Sequence, residues 1–266
     1  MLTATTVRRK GIQVSRLEGK VAIVTGAGAG IGRGTARVLA REGAAVAVGG
    51  RTLSKCEQVA REIVEEGGRA LAVGCDVNAR EQIEELVART VDAFGPPGIL
   101  VNNAQGGDMG GAYVLEDVSD GVFLDAFRGG LLSSLYGMQA VFPYMKETGG
   151  SIVNLASSTG IMGDPGFAPY GTAKEAIRGL TKHAAREWGR YGIRVNVVAP
   201  AALGEGAASF RDEAPKRWEA IVRQIPLGYM GDPEEDIGRG ILAIVTDLQY
   251  LTGATLALDG GRCILR

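Results

Sequence analysis

Three cysteines, one histidine and 6% aromatic residues are few for a chain of 266 residues. Cys56, Cys75 and Cys263 have neither metal-knuckle nor disulfide spacing, so they read as ordinary thiols of a reducing, cytoplasmic compartment. His183 is the only histidine; one imidazole on a helix points to no histidine metal centre, and no metal is expected. Charge nearly cancels, at -1, so nothing marks a nucleic-acid partner. No apolar run nears the roughly 20 residues of a membrane span, and the first residues lack the apolar core of a secretory signal. No membrane partner is therefore expected. The short basic cluster VRRKG falls in residues 1–18, read as a solvated arm.

Glycine is abundant, at 41 residues, and falls at element boundaries, where tight turns need it. Apolar runs of strand length recur from Gly19 onward: KVAIVTG, AAVAVGG, RALAVGCDV, GILVNNA, SIVNLAS, IRVNVVAP and ATLALDGG. Their continuity is that of strands buried on both faces. Amphipathic helical stretches lie between them, including a long one over 121–147 that contains Gly129 and Gly130. The alternation predicts an α/β fold: one Rossmann-like, doubly wound parallel sheet of about seven strands with helices on both faces, in a single domain over 19–266. The irregular stretch 201–230 follows the sixth strand, where parallel sheets bind ligands. With Phe210, Trp218, Ile221, Val222 and Ile225 it reads either as a lid over a substrate or as an ordinary helix pair packing an apolar stripe.

TGAGAGIG joins the first strand to the first helix. Gly26, Gly30 and Gly32 permit a tight turn and close approach of a ligand, Gly28 and Ile31 belong to the same turn, and the helix behind it points free N–H groups at an anion. The context is that of a dinucleotide-binding turn. At the end of the second strand Gly50 stands where a carboxylate would hold the ribose hydroxyls of NAD(H), followed by Arg51, a forked cation suited to a 2′-phosphate. That favours NADP(H), with NAD(H) possible.

With TGAGAGIG, the acid at Asp76, NNA at 102–104, Ser157, YGTAK at 170–174, IRVN at 193–196 and the closing YLTGATLALDGG, the chain resembles the short-chain dehydrogenase/reductase family over 17–261. The resemblance implies that Asp76 and Val77 hold the adenine end and that Asn103, Ala104 and Pro200 lie against the cofactor together with Tyr170 and Lys174. It makes Asn102, Asn154 and Asn196 structural, and Ser157, Tyr170 and Lys174 catalytic. The residues agree with that assignment. A ketone being reduced needs a hydride on carbon and a proton on oxygen. Tyr170 and Lys174 stand one helical turn apart, where an ammonium is expected to pull the phenol down from its usual pKa of about 10. Ser157, chosen over its neighbour Ser158, would hydrogen-bond the carbonyl oxygen.

Three positions depart from the family pattern. Gly130 stands where the family has an Asn that holds a water leading to the Lys; Gln105 interrupts NNAG; Ala201 replaces the Gly after Pro200. Either the relay is rebuilt, with Ser133, Ser134, Gln105 or water as candidates, or turnover is weak and the fold binds a dinucleotide for a regulatory or scaffold role. The expected activity is NADP(H)-dependent interconversion of a bulky hydrophobic ketone and its secondary alcohol, with reduction of an activated double bond as the other enzymatic reading. A homotetramer or homodimer is expected, with YGMQAVFPYM at the interface or, equally, in the core. Asp108, Met109 and Tyr113 follow the fourth strand in a glycine-rich loop, and they read equally as the path of a substrate or as plain loop residues.

Overall fold

The computed structural model describes residues 15–106, 113–202, 211–212 and 215–263. Phe210, Asp108 and Met109, and most of the arm, lie outside them, as does part of the 201–230 stretch. The seven apolar runs form seven strands: β1 Val21–Thr25, β2 Ala45–Gly50, β3 Arg69–Gly74, β4 Ile99–Asn102, β5 Gly150–Leu155, β6 Ile193–Pro200 and β7 Thr255–Leu258. They make one sheet in the order β3-β2-β1-β4-β5-β6-β7, and every pairing is parallel. The order reverses between β1 and β4, so a crevice opens at the carboxyl ends of those two strands.

Helices α1 Gly30–Arg41, α2 Leu53–Glu65 and α3 Arg80–Phe94 connect the first four strands. The long helical stretch is α4 Asp120–Phe127 and α5 Ser133–Thr148, joined through a π turn at Arg128–Leu132. After β5 come the short α6 Ser158–Met162 and the long α7 Ala168–Trp188; after β6 come α8 Pro215–Val222, a π turn at Pro233–Gly238 and α9 Arg239–Thr246. Among the described residues no helix is long and apolar enough to cross a membrane.

Side chains alternate across each strand, so the sheet has a core on each face. Ala22, Val24, Val46 and Val48 pack with Leu39, Ile63, Ile237 and Ile241 on one side. Ile23, Ala47, Leu100 and Ile152 pack with Leu86, Met138, Val141 and Met145 on the other. The stripe YGMQAVFPYM is thus largely core: its three buried apolar side chains face the sheet, and Phe142 stacks on Trp188 with ring centroids 4.7 Å apart. In the 201–230 stretch, α8 leaves Trp218, Ile221 and Val222 half-buried, and Ile225 is buried beyond it.

Candidate active site

The glycine turn is closed by hydrogen bonds from the loop after β4. Asn103 Nδ2 donates to the Thr25 and Gly26 carbonyls at 2.8 and 3.1 Å. Thr25 Oγ1 in turn accepts from the Asn103 and Ala104 amides, each at 3.1 Å. Thr25 is a residue that sequence reasoning passed over; its place at the end of a buried strand, before the first turn glycine, was the available signal. Gly26 and Gly30 have φ of 64° and 52°, a region open to glycine at little strain. A Cβ on Gly26 would lie 2.8 Å from Asn103 Nδ2, and one on Gly28 would lie 3.0 Å from Lys55 Cβ. Gly32 packs against the Gly26 carbonyl, where a Cβ would overlap the backbone. Ile31 is half-buried and packs on the core. Helix α1 starts behind Ala29 with no side-chain cap, so its leading N–H groups and dipole end are open to a phosphate. A cavity of about 770 Å³ beside the turn is lined by Gly28, Ala29, Gly30, Lys55 and Gln58 among others. These features fit a dinucleotide.

The other residues expected along the cofactor lie at the carboxyl ends of strands. Gly50 ends β2 and Arg51 beyond it is exposed. A Cβ at Gly50 would lie 2.9 Å from the sulfur of buried Cys56, so packing also favours a small residue at this position. Asp76 Oδ1 accepts from the amide and the side chain of Asn78, both at 3.0 Å, and Val77 beside it is buried. Pro200 is the last residue of β6, in register with Leu258 of β7.

Ser157, Tyr170 and Lys174 converge beyond β5. Ser157 caps α6, its Oγ accepting from Thr159 N at 3.2 Å. Tyr170 lies in the first turn of α7, and its hydroxyl group interacts with Ser157. Lys174 is only 3% exposed; its Nζ donates to the Leu155 carbonyl at 3.0 Å and sits 5.6 Å from the centre of the Tyr170 ring. Ser158 turns away, accepting from Arg262 Nη1 at 2.8 Å, while Arg262 Nη2 bonds Asp164 at 2.7 Å. One expectation is corrected. Burial raises the Tyr170 pKa above its ordinary value, and the Ser157 hydrogen bond offsets this only in part. Burial penalises the ammonium as well, lowering Lys174 to about 8.

The three departures from the family pattern also find their places. Gly129 and Gly130 lie in the π turn before α5. Ser133 and Ser134 donate to helix carbonyls of that turn, Gly130 O receiving both at 3.0 and 2.9 Å. Gln105 fills the side-chain space at Gly130. Ala201 is buried, and its amide donates to the Leu258 carbonyl at 3.0 Å. Underneath, Asn102 Nδ2 donates to Asn154 Oδ1 at 2.8 Å, and Asn154 Nδ2 to Thr181 Oγ1 at 2.9 Å. Asn196 binds the Leu251 carbonyl and the Ala254 amide. His183 is exposed. Among the described residues no cluster of His, Cys, Asp or Glu has the arrangement of a metal centre.

The family described as Enoyl-(Acyl carrier protein) reductase matches residues 26–262. A 12alpha-hydroxysteroid dehydrogenase of Clostridium sp. is 38% identical over 252 residues, covering 92% of this chain and 96% of the relative. A 3-oxoacyl-acyl-carrier-protein reductase of Thermotoga maritima is 36% identical over 252 residues, covering 94% and 100%. A 7alpha-hydroxysteroid dehydrogenase of Bacteroides fragilis is 32% identical over 254 residues, covering 94% and 97%. With a parallel seven-stranded sheet, a glycine turn at the β1–α1 junction and a Ser–Tyr–Lys constellation beside it, the chain belongs to the short-chain dehydrogenase/reductase family of nicotinamide-dependent oxidoreductases.

Proposed function

We propose that this chain is an NADP(H)-dependent enzyme that interconverts a bulky, hydrophobic secondary alcohol and its ketone, with Ser157, Tyr170 and Lys174 as its catalytic residues. The observation that carries the reading is the convergence of Ser157 and Tyr170 beyond β5 on a buried lysine, whose Nζ lies 5.6 Å from the centre of the Tyr170 ring. A dinucleotide lying along Gly26, Gly28, Gly30, Ile31 and Gly32, with Asp76, Val77, Asn103, Ala104 and Pro200 around its length, would supply or remove the hydride. Ser157 orients the substrate oxygen and steadies its developing charge. Tyr170 gives its proton to that oxygen in reduction and takes it back in oxidation. Lys174 lends positive charge to the phenolate when ionised.

Support for a bulky substrate comes from two sources. Two of the relatives carry hydroxysteroid in their names. A cavity of about 730 Å³ between Tyr113–Leu115 and the α6–α7 turn is lined by Phe167, Ala168 and Gly171, one turn or less from Tyr170, with Val114 and Leu115 exposed at its rim. For the cofactor, Gly50 carries no carboxylate and Arg51 is exposed and open to a 2′-phosphate. A cytoplasmic location and a homotetramer or homodimer belong to the same reading; a monomer by light scattering would reject the assembly.

The matched family's description favours a second reading, reduction of an activated double bond. One panel decides between them. Cholate, other secondary alcohols, their ketones and enones are offered with NADP(H) and NAD(H), and absorbance of the reduced cofactor is followed. Turnover of alcohols or ketones, abolished in Tyr170→Phe with cofactor affinity kept, supports the proposal. Turnover of enones alone favours the second reading, and cofactor binding with no turnover favours a scaffold role.

A further inference from the structure

We infer that Gln105 is the positioning residue that completes the proton path of Lys174, its Oε1 holding one water between the buried ammonium and solvent in the space that Gly130 leaves open. The inference rests on the reading of Tyr170 and Lys174 above and deepens it.

Three observations carry it. First, two departures from the family pattern meet in space. The position where a Cβ of residue 130 would stand has Gln105 Oε1 at 3.1 Å, Gln105 Nε2 at 3.3 Å and the Ala173 methyl at 3.6 Å. A side chain from the loop after β4 thus occupies room left by a missing one on the helix. It does so against α7, one residue before Lys174.

Second, the amide is fixed and half-satisfied. Gln105 Nε2 donates to the Gly106 carbonyl at 2.9 Å, which sets which end of the amide is oxygen. Gly106 N donates to Gly129 O at 3.0 Å, and a Cβ on Gly129 would overlap the Gly106 backbone, so the loop and the π turn are held together at glycine-only distance. Oε1 is buried and, among the described residues, has no hydrogen-bond partner. A buried acceptor left unmade costs about 1–3 kcal/mol, so a bound donor, here a water, is the expected partner.

Third, the competing acceptors are taken. Gly130 O already receives the Ser133 and Ser134 hydroxyls. Lys174 Nζ has three donors, and among the described residues its partners are the Leu155 carbonyl from β5 and the Tyr170 ring on its own helix. In reduction, Tyr170 loses one proton to the substrate oxygen and Lys174 returns one to the phenolate. The Gln105-held water returns one to Lys174 and recovers it from solvent. One proton enters for each one delivered.

The test needs no substrate. Protein carrying ¹³Cε-lysine is titrated by NMR, with the Lys174 resonance assigned by its loss in Lys174→Met. In the wild type that resonance is expected to titrate below the ordinary lysine value, at about 8. An acceptor on the ammonium favours its charged form, so Gln105→Met, which keeps the volume and removes the oxygen, lowers the Lys174 midpoint by about half a pH unit or more. The swap Gln105→Gly with Gly130→Asn, which moves the amide back onto the helix, restores it. An unchanged or raised midpoint in Gln105→Met overturns the inference. Gln105→Ala serves if the methionine variant does not fold, with the same two outcomes. Turnover retained in Tyr170→Phe sinks the parent reading separately, whatever the Lys174 midpoint does.

Discussion

On the proposed NADP(H) reading, replacing Gly50 by Asp is the direct way to turn the site toward NADH, and the fold resists it. The new Cβ falls 2.9 Å from Cys56 Sγ, and Cys56 is fully buried in α2, so the sulfur has little room to yield. Overpacking of this kind costs about 1–3 kcal/mol. In a chain of this length each kcal/mol lowers Tm by roughly 2–4 °C, so Gly50→Asp alone is expected to melt roughly 2–12 °C below the wild type. Cys56→Ala removes the sulfur and leaves a small void of its own. Added to Gly50→Asp, it recovers at least half of the loss, a coupling of about 1 kcal/mol in a double-mutant cycle. Calorimetry on the four proteins measures this, and kcat/KM with both cofactors measures the chemistry. In the double variant the carboxylate repels a 2′-phosphate, and the NADPH/NADH preference falls about tenfold or more. Additive melting shifts would refute the steric argument. An unmoved preference would refute the assignment of Gly50 and Arg51 to NADP(H).

The other predictions concern the proposed catalytic residues and the packing behind them. Tyr170→Phe lowers kcat by about 10²–10⁴ while leaving NADPH affinity, read by fluorescence titration, nearly unchanged; comparable turnover would remove Tyr170 from the chemistry. Lys174 has its folded-state pKa lowered to about 8. Between there and its unfolded value the unfolded chain binds the extra proton, so the wild type gains up to about 3 kcal/mol relative to Lys174→Met as pH rises through that window. Urea unfolding of both proteins at pH 7 and pH 9.5 reads this, and parallel curves would contradict the burial of the ammonium. Gly34→Ala is expected to cost about 1–3 kcal/mol, because its Cβ would lie 2.7 Å from Pro233 backbone atoms where α1 crosses the second π turn; an unchanged Tm would show that the two elements slide apart freely. Gly130→Asn does not raise kcat, since its Cβ would crowd Gln105 Oε1 at 3.1 Å; a faster enzyme would mean the glycine is a defect.

The fold was legible because the central strands are buried on both faces and so spell themselves as apolar runs, VAIVT of β1 and AVAVGG of β2 being the clearest. The glycine turn and the Tyr170–Lys174 spacing were legible because a motif carries its own geometry. What stayed hidden depends on residues far apart in the chain. Gly50 looked like a vacated carboxylate, but its size also answers to Cys56. Gln105 was one of four candidates to make up for Gly130, and the meeting of the loop with the π turn is what puts its side chain in that space. The sign of the Tyr170 shift was misjudged because a helical spacing gives proximity of charge and not the burial that competes with it. The aromatic stripe of α5 had two readings, and burial of Met138, Val141 and Met145 gives most of it to the core.

The strand order has a consequence for how the chain is made. β1 is in register with β2 through Val21 and Ala45, yet its other edge pairs with β4, where Ala22 meets Ile99. A ribosome emitting the chain releases β1, β2 and β3 with one edge of β1 bare, and that edge stays bare until β4 emerges. β6 waits in the same way for Thr255 and its neighbours. Exposed apolar strand edges are sites of aggregation, so slower translation over the stretches between β1 and β4 and between β6 and β7 is expected to lengthen the chain's dependence on chaperones.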